Sequence, residues 1–367
     1  MLLFQYMRKI ISLIFCFCLV FVFSACSLGG SGTTSSTSTT VQKQTGSVLK
    51  SFDGGKNWEN KVKVNETSNI GLLNIFSMKI DPFDTDFVYV GTEKDGIFVS
   101  KNGGESWEKL VFPLTKIYGL AIDENDNRTI YASGVLNERA KIYKSIDRGE
   151  NWVEIYTEPV NDSVISSLEI SKKHPNVLYC GTSEGMIFKS IDNGQSWKNL
   201  TKANGPVIDI SFDSANDEVV YFGVRKGTIL RTTDGGAKIE DLTKIKLDKI
   251  KEGKIFSFNT YSIAVDPKNS GVLFIGTDSG VWKGTNFGAK WEEVNMLESS
   301  KKFPVRAIAI NPQNSNEIIY SNSGVIYRSV DNGASWLTFQ LNTEKTVDII
   351  EYNPVSPSII YAGLRKI

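Results

Sequence analysis

From residue 46 onward, apolar and polar positions follow one recurring order. An apolar run comes first, such as Ile117-Tyr-Gly-Leu-Ala-Ile122 or Tyr261-Ser-Ile-Ala-Val265, and a polar turn such as Asp266-Pro-Lys-Asn-Ser-Gly271 follows. Next stands a β-branched and aromatic run: Phe87-Val-Tyr-Val-Gly91, Ile130-Tyr-Ala132, Val219-Val-Tyr-Phe-Gly223 or Ile359-Ile-Tyr-Ala-Gly363. A short Gly-containing loop then leads to a third run, as in Gly96-Ile-Phe-Val-Ser100, and a fourth short segment closes the unit. Short strands separated by turn residues every 8 to 12 positions predict an all-β sandwich, barrel or propeller. Four strands per unit of this length predict a propeller blade.

Each third run ends in an octapeptide of the form S-x-D-x-G-x-x-W. It occurs at Ser51–Trp58, Ser100–Trp107, Ser145–Trp152, Ser190–Trp197 and Ser329–Trp336, and in worn form at Thr232–Ile239 and Gly284–Trp291. The final positions lie 42 to 52 residues apart, a spacing typical of repeat arrays and propellers. The physics of the octapeptide is that of a tight turn. Ser and Asp side chains hydrogen-bond nearby backbone, and the Gly admits positive φ. The Trp, large and with a single N–H, folds back over the turn. Asp53, Asp147, Asp192, Asp234 and Asp331, with Trp58, Trp107, Trp152, Trp197, Trp291 and Trp336, are therefore read as structural rather than as metal ligands or acid–base groups.

This block resembles the Asp-box (BNR) repeat, the turn between the two outer strands of a propeller blade. The resemblance covers nearly all of residues 46–367 and implies a fold more sharply than a function. The first box (46–58) lacks its two inner strands, while Val347–Ile367 supplies two strands with no box. Joined, they make one blade. The expected architecture is thus an all-β, seven-bladed propeller of four-stranded antiparallel blades, its last blade shared by both ends of the chain, so that closure removes exposed edges.

Ahead of the repeats, Arg8-Lys9, the apolar run Ile10–Phe23 and Ser24-Ala25-Cys26 read as a secretory leader over residues 1–25. The natural start reads as Met1 or Met7. Ser24-Ala25-Cys26 resembles the bacterial lipobox, which implies lipidation at Cys26; ordinary cleavage near Ala25 is the alternative. Residues 26–45 are rich in Gly, Ser and Thr and read as a flexible tether. The expected placement is a bacterial cell envelope, outside the cytoplasm and lipid-anchored.

Composition narrows the function classes. Lysine plus arginine equals aspartate plus glutamate at 41 each, and 41% of the chain is hydrophobic. Such a balance gives no global basic field for nucleic acid. Cys180 sits in the apolar run Val177-Leu-Tyr-Cys180 and is expected in the core. His174 is the single histidine, too few for a histidine-rich metal site. Asp123-Glu-Asn-Asp-Asn127 begins like a calcium loop, but Arg128 replaces the required Gly, so a plain turn is expected. No metal or other cofactor is expected.

The resemblance also implies that ligands meet the face opposite the boxes. The loops of that face hold Lys116, Tyr118, Glu138, Arg139, Arg225, Lys226, Tyr261, Arg306, Asn322, Arg365 and Lys366. Arginines there could hold a carboxylate or phosphate through bidentate contacts. The long loop Glu240–Phe258 carries five lysines and is a second candidate contact. Sialidases and some glucan-cleaving hydrolases share the repeat, yet the Phe/Tyr-Arg-Ile-Pro sialidase signature is absent, and no Ser elbow, Walker loop or zinc motif occurs. The reading on sequence alone is a monomeric, non-catalytic scaffold similar to sortilin-like and photosystem II assembly-factor-like propellers. It would bind a protein or glycan partner and no nucleic acid, and would meet the membrane through its lipid. A glycoside hydrolase of sialidase or glucanase type is the alternative.

Overall fold

A computed structural model describes residues 46–242, 259–297 and 304–367. Cys26, the leader and tether, and Lys244 to Lys254 lie outside the described residues. Seven four-stranded antiparallel sheets are present, and no α-helix occurs among the described residues. The innermost strands are, in blade order, Ile75–Ile80, Lys116–Ile122, Ile165–Ile170, Val207–Phe212, Thr260–Val265, Val305–Asn311 and Thr346–Tyr352. Each contacts the inner strand of the next blade, and the seventh contacts the first, so the ring is closed.

Closure is made by both ends of the chain. Val48–Ser51 pairs antiparallel with Ile360–Arg365, in the register Val48 to Gly363 through Ser51 to Ile360. Glu59–Asn60 lies outside it and Thr346–Tyr352 inside, completing the seventh blade. Val48, Leu49, Ile360, Ala362 and Leu364 are wholly buried there.

The boxes fold as the side-chain chemistry dictates. In the fourth blade's neighbour, the third, Ser190 Oγ donates to Asp192 Oδ1 at 2.8 Å and accepts the Gly194 N–H at 2.9 Å. Asp192 also accepts the Ser196 N–H, and the Trp197 indole N–H returns to the Gly194 carbonyl at 3.0 Å. Gly194 has φ +83°, and a Cβ there would come within 2.5 Å of Ile155 Cδ1. The Asn193 N–H then bonds to Asn176 O, tying the box to the turn after the inner strand of its own blade. Boxes and inner-strand ends therefore share one face.

Neighbouring blades are stapled by the second-strand tyrosines. Tyr89, Tyr179 and Tyr361 are buried, and each hydroxyl donates to a box carbonyl of the following blade: Arg148 O, Gly235 O and Gly103 O. Each such bond contributes about 1 kcal/mol. Cys180 is wholly buried beside them, and Asp123 caps a plain turn by accepting the N–H groups of Asn125 and Asp126.

Candidate functional site

All seven inner strands share one irregularity. The ladder slips by one residue between Ile75 and Ser77, Ile117 and Gly119, Ile165 and Ser167, Val207 and Asp209, Thr260 and Ser262, Val305 and Ala307, and Val347 and Ile349. Such a bulge bends the strand and re-aims the extra side chain. The skipped residues are Phe76, Tyr118, Ser166, Ile208, Tyr261, Arg306 and Asp348, and all seven line a single central cavity of about 570 Å³. The repeat has thus been used to set one variable side chain per blade around the mouth of a channel, at the end opposite the boxes.

The mouth is aromatic and cationic. Phe76 and Tyr118 stack with ring centres 5.4 Å apart. The guanidinium carbons of Arg225 and Arg306 stand 4.7 and 5.0 Å from the centre of the Tyr261 ring. Arg365 lies 5.4 Å from the Phe76 ring and is ion-paired with Asp348, which Arg306 also approaches at 3.7 Å. Burial pushes the Asp348 carboxyl up, and Arg365 and Arg306 pull it back. Burial pushes Arg225 down, helped by the neighbouring Arg306 and Arg365 charges.

Deeper in the channel the charge reverses. Glu351 lies three residues beyond Asp348, about 10 Å along the strand. Lys79 Nζ of the first blade reaches Glu169 Oε2 of the third at 3.2 Å. Glu169 holds the Lys79 ammonium well above its usual range, with Glu351 and Asp209 adding to the pull. Both members of the pair keep part of their side-chain surface open, 33% and 24%. Asp209 accepts the Ile263 N–H at 2.7 Å, yet burial dominates and its carboxyl is pushed up to about 7. Burial likewise pushes Glu351 up. Among the described residues no cluster of His, Cys, Asp and Glu is arranged to hold a metal ion.

The structure brings Tyr118, Arg225, Tyr261, Arg306 and Arg365 of the sequence-nominated rim to this mouth. Lys116, Arg139 and Lys226 are exposed and stand outside the cavity. Sequence reasoning missed Lys79, Glu169, Asp209, Asp348 and Glu351. Their signal was present: each is a charge flanked on both sides by apolar residues, as in Ile208-Asp209-Ile210 and Val347-Asp348-Ile349. His174 lies in a turn at the far, box-bearing end, its N–H donating to Ser171 Oγ.

Two family models match in succession. Residues 46–186 match that of sortilin, neurotensin receptor 3, and residues 200–353 match that of the photosynthesis system II assembly factor YCF48. The chain is a BNR-type propeller. Among solved structures, this BNR propeller is similar to a GH74 xyloglucanase from Xanthomonas campestris (TM-score 0.66, 15% identity, 79% of this chain and 51% of that one). It is similar also to YCF48 from Cyanidioschyzon merolae (TM-score 0.60, 14% identity, 79% and 95%). These likenesses concern the fold. Curated relatives add chemistry. An oligoxyloglucan-reducing end-specific xyloglucanase of Emericella nidulans is 28% identical over 99 residues, which is 25% of this chain and 12% of the relative. Xyloglucanase Xgh74A of Acetivibrio thermocellus is 26% identical over 189 residues, 42% of this chain and 22% of the relative. The BNR propeller thus spans less than a quarter of either relative's length.

The curated xyloglucanase relatives correct the non-catalytic reading and favour its glycoside hydrolase alternative. The physical reason for the error is the topology. The channel's carboxylates form no linear motif, because they come singly from inner strands of different blades, Glu169, Asp209 and Glu351 being separated by 40 or more residues.

Proposed function

We propose that this propeller is a glycoside hydrolase acting on a β-glucan-type polysaccharide, with its reacting centre in the central channel. The observation that carries this reading is a set of channel carboxylates held in contrasting environments. Glycoside hydrolysis needs one carboxylic acid that keeps its proton and one carboxylate that does not. Environments that push paired groups apart mark such roles. Asp209, raised to about 7 by burial, is the proton donor to the glycosidic oxygen. Glu169, ion-paired with Lys79, is the partner carboxylate that takes a proton from the attacking water. The water oxygen bonds to the anomeric carbon as the glycosidic C–O bond breaks, Asp209 gives its proton to the departing oxygen, and that sugar leaves as an alcohol. Phe76 and Tyr118 form an apolar platform on which a sugar ring can lie, and a cavity of about 570 Å³ suits the end of a chain.

The xyloglucanase relatives support the reaction class, and their enzymes' substrate suggests the polymer. An extracytoplasmic location accords with a polysaccharide substrate, and lipidation at Cys26 would hold the domain at the envelope through the tether of residues 26–45. The test is release of reducing ends from xyloglucan and other β-glucans by the purified domain. Activity in the wild type that is lost in Asp209→Asn supports the proposal. No release from any β-glucan, or full activity in Asp209→Asn, defeats it.

A further inference from the structure

The mouth has more positive charge than its own structure uses. Three guanidiniums, Arg225, Arg306 and Arg365, stand within mutual electrostatic reach, and the carboxylate among them that draws them is Asp348. Asp348 is ion-paired with Arg365 and lies 3.7 Å from Arg306, whereas Arg225 forms no ion pair among the described residues. Stacking on Tyr261 fixes the planes of Arg225 and Arg306 without satisfying their N–H donors.

Unused hydrogen-bonding capacity accumulates at the same place. Arg225 Nε, one Asp348 oxygen, and both the oxygen and nitrogen of the Asn322 amide are buried without a hydrogen-bond partner. Asn322 is only 3% exposed and pairs across the ladder with Val305, the residue before Arg306. A buried amide with no partner costs stability and calls for an explanation. Here donors from three blades converge on a mouth that opens onto the proposed catalytic channel. Asp348 offsets one of the three guanidinium charges, so positive charge is left over at the mouth.

We infer that the Arg225–Tyr261–Arg306 arrangement, with Asn322 beside it, is a subsite for the carboxylate of a uronic acid residue, so that the preferred substrate is a β-glucan-type chain bearing uronic acid residues. The inference rests on the glycoside hydrolase reading and names the substrate class of that same channel. A planar guanidinium pairs with a carboxylate through two parallel N–H donors, which neither a neutral hexose nor a lysine reproduces. Tyr261 holds both guanidiniums in place by stacking. The Asn322 amide, able both to donate and to accept, suits a ring hydroxyl next to that carboxylate. An acidic sugar bound here extends its glycosidic bond inward, toward Asp209.

The test is binding by calorimetry in the Asp209→Asn background, which separates binding from turnover. The probes are an oligogalacturonide, a glucuronate-bearing xylan oligosaccharide, a neutral xyloglucan oligosaccharide and an acidic peptide. The expected result is at least about tenfold tighter binding of a uronate probe than of the neutral one, weakening as salt rises. Arg225→Gln is expected to lose about tenfold for the uronate probe, the loss of one charge-assisted pair. Arg225→Lys keeps the charge but not the fork and is expected to recover only part of it. Unchanged melting curves for both variants establish that they fold. Equal affinity for neutral and acidic probes, or tight capture of the peptide with no uronate binding, overturns the inference. Hydrolysis of neutral glucan with no acidic preference overturns it while leaving the hydrolase reading intact. Uronate binding without any hydrolysis upholds the subsite and removes the hydrolase reading.

Discussion

Lys79 of the first blade meets Glu169 of the third across the channel at 3.2 Å, passing over the blade between them. Lys79 stands among three deep carboxylates, since Asp209 and Glu351 bear on the same ammonium as Glu169. Lys79→Met therefore leaves Glu169 facing two further acids. We expect a loss of roughly 1–3 kcal/mol at pH 7, less than for a dry pair because both side chains still reach channel water. Urea unfolding reads this loss. A Lys79→Met/Glu169→Leu double variant should recover most of it, because no orphaned charge remains.

The proton on Asp209 links activity to pH. A donor titrating at about 7 is loaded below that value, so kcat/KM should fall as pH rises through 7. Stability carries the same sign. The folded carboxyl binds its proton more tightly than the unfolded one, which titrates near 3.9. Its contribution is thus fully present below about pH 4 and is lost as pH rises through about 7. Asp209→Asn, which cannot ionise, should melt at least about 2 °C above the wild type at pH 8 and level with it at pH 4. A difference independent of pH would contradict the assignment.

The box aspartates have the opposite sign. Hydrogen bonds from Ser196 and Ser190 hold Asp192 at about 2, and those from Ser335 and Ser329 do the same for Asp331. Their contribution is present above the ordinary carboxyl range near 4 and disappears as pH falls toward 2. Asp192→Ala and Asp331→Ala should melt below the wild type at pH 6. The gap should narrow progressively between pH 4 and pH 2 in a thermal scan.

Ring closure depends on the C-terminal strand. Removing Ser358–Ile367 deletes the strand between Val48–Ser51 and Thr346–Tyr352, and with it the Tyr361 hydroxyl bond to Gly103. Both remaining edges would be long and unpaired. We expect the truncated chain to be aggregated or unfolded by circular dichroism and gel filtration, whereas Tyr361→Phe, which loses only the hydroxyl, should cost about 1 kcal/mol.

Reading the chain as seven blades required only local information. The serine, aspartate, glycine and tryptophan of each box build their turn from groups within eight residues, and alternating apolar runs mark the strands between boxes. Even the shared blade follows from counting, because Ser51–Trp58 arrives without inner strands and Val347–Ile367 without a box. Tyr118, Arg225, Tyr261, Arg306 and Arg365 could be nominated from their place in each repeat. The deep carboxylates could not be assembled that way.

Sequence by itself determined the strands, the turns and the number of sheets, because hydrogen bonds between near neighbours and alternation of side chains set them. The tertiary structure alone decided which of several isolated charges share a channel. A bulge points one residue per blade at the axis, and ring closure brings Lys79, Glu169, Asp209 and Glu351 together from blades far apart along the chain. Their low-dielectric surroundings, and hence the proton on Asp209, exist only once the ring has shut.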